Sequence, residues 1–136
     1  MRKAFRLSIV LAVLPILVIT GCSKDSSDPA DAFVGTYNYT MTAPSMGTQT
    51  GVLTVTKTSA NKISMLTEGT PTPYTVSGNN ITEDAQNVEI PVSSTNTAIF
   101  IETSTGTLSG KVITINGSWT NPQYPTMTFT VVATKN

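Results

Sequence analysis

Histidine is absent from the 136 residues, and cysteine occurs once. The first absence removes the commonest general base and the commonest metal ligand. The second excludes an intramolecular disulfide and any zinc site of the cysteine/histidine kind. Charged residues are only 12% of the chain, and they are unevenly spread. Arg2, Lys3 and Arg6 crowd the start, and no arginine follows them. From Cys22 onward five lysines face eight acidic residues, a formal charge of −3. Arginine is the side chain whose planar fork grips phosphate and carboxylate. Its absence, beside a mildly acidic balance, argues against nucleic acid as a partner. There is also no metal-ligand spacing and no glycine-rich phosphate loop, so no metal and no cofactor is expected.

The long apolar run is Leu7 to Ile19, broken only by Ser8 and Pro15. It follows a short basic segment and ends in the small residues Thr20 and Gly21. This is the layout of a secretory signal peptide, and the run is short for a membrane span. Ile19-Thr20-Gly21-Cys22 resembles the bacterial lipobox, an aliphatic residue and two small ones before an invariant cysteine. The resemblance implies that residues 1–21 are removed and that Cys22 is the lipid attachment site. A diacylglycerol on its sulfur and an acyl chain such as palmitate on its amino group would hold the protein to the outer membrane. Several acyl chains anchor far more stably than one. Ser23 to Asp31 is polar and builds no core, so residues 22–32 are expected to be a flexible tether. Its acidic residues resemble the export signal of some surface lipoproteins of Bacteroidetes; an ordinary soluble linker is the other reading. Periplasmic and surface-exposed positions both stay open.

Residues 33–136 show strand alternation in place of any helical period of useful length. The alternating sets are Tyr37, Tyr39 and Met41; Leu53 and Val55; Ile63 and Met65; Val88, Ile90 and Val92; Ile113, Ile115 and Trp119; and Met127, Phe129, Val131 and Ala133. Turn residues separate them, as at Ser59-Ala60-Asn61, Gly78-Asn79-Asn80 and Ser109-Gly110. About eight strands with short connections and no crossover helix predict an all-β antiparallel meander. A closed barrel is favoured over a small sandwich because closure removes edges that would otherwise pair with other chains. Asn116-Gly117 is a strong hairpin signal, yet a hairpin there would leave a very short strand. A bend or bulge at Gly117 is expected instead, with Trp119 against the space left by the missing side chain.

Phe33-Val34-Gly35-Thr36-Tyr37 resembles the opening segment of lipocalin-like and calycin-like barrels, and Thr105 to Ile115 looks like their closing hairpin. Together with the lipobox, the chain is similar to the small lipocalin-like lipoproteins of Bacteroidetes. That resemblance implies a barrel that holds a ligand; it does not name one.

The residues available for chemistry are few. Serine and threonine hydroxyls have no histidine to activate them, and Lys57, Lys62 and Lys111 sit beside predicted turns. Glu68, Glu83, Asp84, Glu89 and Glu102 are expected on turns and polar strand faces, as solvated charges. No catalytic residue and no enzyme activity is expected. The aromatic residues are better candidates for contact with an apolar or glycan ligand: Tyr37, Tyr39, Trp119, Tyr124 and Phe129. The same residues would also serve as plain core. Two functions follow: an envelope-anchored binding module for a small apolar or glycan ligand, or a structural or inhibitor-like interaction lipoprotein whose barrel is filled by its own side chains.

Overall fold

A computed structural model describes residues 27–136. The expected signal peptide, Cys22 and the first residues of the tether lie outside the described residues. Nine strands form one antiparallel sheet: β1 (Gly35–Ala43), β2 (Gly47–Ser59), β3 (Lys62–Leu66), β4 (Thr72–Ser77), β5 (Asn80–Glu83), β6 (Gln86–Pro91), β7 (Thr97–Ser109), β8 (Val112–Asn121) and β9 (Tyr124–Lys135). β1 pairs with β9, and β5 pairs with β7, so eight of the strands close a ring. The protein is a closed eight-stranded antiparallel β-barrel with β6 as an extra strand beside β7.

β5 and β6 share one edge of β7. Ile81 faces Gly106 and Gln86 faces Glu102, so five residues on one side span four on the other. The extra residue makes this junction a bulge, and it keeps Val88 and Ile90 pointing inward like Ile81 and Glu83. Up-and-down order needs only tight connections. The β4–β5 and β7–β8 hairpins each have a two-residue loop headed by a glycine, Gly78 at φ 59° and Gly110 at φ 60°. No non-glycine residue has positive φ among the described residues, which is the pattern of type II′ turns.

Most inward positions are apolar and outward positions are rich in threonine, which suits a pleated surface facing water. The phases read from the sequence hold for every set named above. Trp119 is buried at 6% exposure. Asn116-Gly117 forms no hairpin, as expected, and of the expected bend or bulge at Gly117 the bulge is absent. β8 runs through Gly117 in unbroken register with β7 and β9, and the register slips between Trp119 and Asn121. The space over Gly117 is taken by the ring of Phe129, which sits where a Cβ would go.

The two ends of the barrel differ. The β2–β3, β4–β5 and β7–β8 hairpins lie at one end, here the lower, with the first and last strands' outer termini. The connections β1–β2, β3–β4, β6–β7 and β8–β9 form the upper end. Residues 29–32, expected as the end of a flexible tether, form with Phe33 a 3-10 turn, Pro29–Phe33, docked on the lower end. Ala30 and Phe33 are fully buried there because their apolar side chains complete the core between β2, β3 and β4. The Tyr37 hydroxyl donates to the Phe33 carbonyl at 2.7 Å, and Lys57 of β2 pairs with both Asp28 and Asp31.

Candidate ligand cavity

The lower half of the barrel is solid. Phe33, Tyr37, Val55, Ile63, Ile81 and Ile113 are each at most 1% exposed. The upper half holds a cavity of about 200 Å³ under the β3–β4 loop. Its apolar wall is Tyr39, Met41, Leu53, Met65, Ile115, Phe129 and Val131. Thr72, Tyr74 and Glu102 add polar groups from β4 and β7. Gln49 and Thr67, both exposed, line the side where the cavity meets solvent.

A hydrogen-bonded network backs this cavity at the β5–β6 junction. Ser104 donates to Glu83 Oε2 at 2.6 Å, and its hydroxyl is 2.9 Å from that of Tyr74. Gln86 Nε2 donates to Glu83 Oε1 at 3.1 Å and to Thr72 Oγ1 at 3.2 Å. Nearby, Trp119 Nε1 donates to Glu102 Oε2 at 3.0 Å. Burial pushes the carboxyls of Glu83 and Glu102 above the usual carboxylate range, and the charge of Glu102 raises Glu83 further. Hydrogen bonds from Ser104 and Gln86 to Glu83, and from Trp119 to Glu102, oppose that rise. The Tyr74 phenol is pushed up by burial first, then by the two carboxylates.

These two glutamates correct the sequence reading, which placed them on solvated turns and faces. The signal was present in the alternation: Glu102 is in phase with Phe100, Ser104 and Leu108, and Glu83 with Ile81. Both therefore had to face the interior. Asp84 fits the expected surface role, at 2.9 Å from Lys62.

The five aromatic candidates separate. Tyr39 and Phe129 line the cavity. Trp119 lies behind it, packed on Phe129 with ring centroids 4.5 Å apart and its indole N–H on Glu102. Tyr37 is away from the cavity, fully buried in the lower half, with Lys135 Nζ 5.8 Å from its ring centroid. Tyr124 is on the upper rim, 39% exposed, with Phe100 5.8 Å away. It borders a second, shallower cavity of about 370 Å³ with Ser45, Pro91, Val92, Pro125 and Met127.

No protein-family model and no curated protein matches the chain. Among solved structures, it is similar to EF1p2_mFAP2b bound to DFHBI, at 15% identity and a TM-score of 0.56, covering 81% of this chain and 98% of that one. It is also similar to a redesigned beta barrel, b11L5F_LGL, at 14% identity and a TM-score of 0.52, covering 82% and 97%. At such identities the likeness speaks for the small β-barrel fold alone.

Proposed function

We propose that this chain is a lipid-anchored envelope protein whose barrel binds a small ligand in the cavity beneath the β3–β4 loop and performs no catalysis. The cavity itself carries this reading. Apolar packing continues to the upper end at Ala43, Phe100 and Trp119, but on the β3–β4 side it leaves about 200 Å³ between Tyr39, Leu53, Met65 and Phe129. Apolar walls with a few convergent polar groups are the usual make-up of a ligand site. A barrel of similar fold is described bound to DFHBI, which supports a small-molecule-binding role for such a fold. The lipocalin-like resemblance of the opening segment points the same way.

Lipid attachment at Cys22 rests on the lipobox resemblance. It agrees with the polarity of the barrel: the chain enters at the lower end, and the cavity opens towards the upper one.

Mass spectrometry of the full chain purified from its native envelope tests both parts. Expected are an acylated Cys22 as first residue and a retained small molecule that is released on unfolding. Val131→Phe fills the cavity and should abolish retention. An unprocessed or unacylated chain would sink the anchor, and retention unchanged by Val131→Phe would move the ligand out of this cavity.

A protein-interaction role has one observation in its favour: Ile99 and Ile101 project outward from β7 at 60% and 49% exposure. Changing both to threonine would weaken a partner contact there and leave ligand retention untouched.

A further inference from the structure

The polar groups inside the barrel are one-sided. Two carboxyl groups, Glu83 and Glu102, stand in the interior, and the ion pairs of the described residues are all elsewhere, joining Lys57 to Asp28 and Asp31 and Lys62 to Asp84. No lysine lines the cavity. Glu83 is 5% exposed, and its two oxygens are taken by Ser104 and Gln86. Glu102 is different. Its Oε2 accepts from Trp119, while its Oε1 has no hydrogen-bond partner among the described residues and is not fully buried, and the residue lines the cavity. Around that space stand the rings of Tyr39, Tyr74 and Phe129 and the thioethers of Met41 and Met65.

We propose that the cavity selects a small organic cation, an ammonium group on a body about the size of one ring, with the ammonium on Glu102 and the body against the aromatic wall. This rests on the binding reading above. A carboxylate is an acceptor only, so its free oxygen calls for a donor. A neutral guest would cover that half-buried carboxylate without supplying a counter-charge, which is costly in an apolar surround. A cationic guest supplies the charge and the donor together, and aromatic faces attract cations through their quadrupole. An anionic guest would meet the carboxylate of Glu102, with Glu83 behind it. Size sets the body: an interior cavity of roughly 150 Å³ holds benzene, and this one is about 200 Å³.

The chain has one tryptophan, and its indole N–H sits on Glu102, so the indole resonance reports directly on the site. The ¹⁵N-labelled full chain in lipid nanodiscs, with empty nanodiscs as blank, is titrated with benzylammonium, benzyl alcohol and benzoate. Benzylammonium is expected to shift the Trp119 indole saturably and to bind at least about tenfold more tightly than benzyl alcohol, the step a charge-assisted hydrogen bond supplies. Benzoate is expected not to bind. Glu102→Gln, which keeps an acceptor for Trp119, should bring the amine and the alcohol to equal affinity. Tyr39→Leu, which touches no hydrogen bond of the network, should weaken the amine more than the alcohol. Benzyl alcohol binding as tightly as benzylammonium, or a preference that survives Glu102→Gln, would overturn the cation inference and leave the binding module standing. Failure of all three probes to bind would overturn both.

Discussion

Gly117 and Phe129 form a pair in which one side chain exists because the other does not. The Phe129 ring occupies the place of a Gly117 Cβ and stacks on Trp119. Gly117→Ala should therefore push the ring off its seat, cost about 1–3 kcal/mol, and red-shift Trp119 fluorescence. Chemical denaturation followed by that single tryptophan checks both effects; an unchanged midpoint would mean the ring yields freely. Tyr37 offers a second test. Its hydroxyl holds the Phe33 carbonyl in a fully buried setting, so Tyr37→Phe leaves that acceptor without its partner. The expected cost is about 1–3 kcal/mol, with earlier proteolytic cutting before Gly35. The polar interior is also a residue-scale feature. It was readable in the phase of Glu83 and Glu102, and was lost because glutamate is so seldom buried that its type outweighed its position.

At the scale of elements, alternation located the strands closely because each has one face on the core, and a slip of one residue would turn that face outward. Their number and the tight turns suit a barrel or a sandwich, and closure was favoured because it removes unpaired edges. Two elements were not legible. The turn Pro29–Phe33 carries only Ala30 and Phe33 as apolar contacts, too few to show a period, and its docking depends on the distant Tyr37 and Lys57. Phe33→Ala should cost about 3–5 kcal/mol and release this turn, read as loss of amide protection across residues 28–34 in hydrogen exchange. Protection retained in the variant would show that the Lys57 ion pairs suffice. The β5–β6 break was the other. A bulge depends on the partner strand's register, which a single run of sequence does not carry. The cavity was illegible for a similar reason: the same aromatic residues fill a core or line a void, and only the assembled barrel separates Tyr37 from Tyr39.

For the whole molecule, acids inside and outside the barrel set opposite responses to pH. Asp31 and Asp84 are held below the usual carboxylate range by hydrogen bonds from Lys57 and Lys62. Their contribution is present above the unfolded value of about 3.9 and is lost as pH falls below it. Glu83 and Glu102 are raised by burial, so theirs is fully present below about 4.3 and is lost as pH rises through the folded values. Stability should peak near pH 4–5 and decline towards neutrality. Urea unfolding of the full chain across this range checks it, and Glu102→Gln should flatten the neutral limb; a stability that climbs steadily to pH 7 would contradict the burial of these acids. The central claim, a space inside the upper barrel open to guests, is met most directly by xenon, which enters spaces lined by apolar side chains. Methyl NMR of the full chain with ¹³C-labelled methionines should show saturable xenon shifts at Met41 and Met65, which line the void, and none at Met46, which is 44% exposed outside it. Shifts that are absent, or equal and linear at all three, would mean that the barrel is filled.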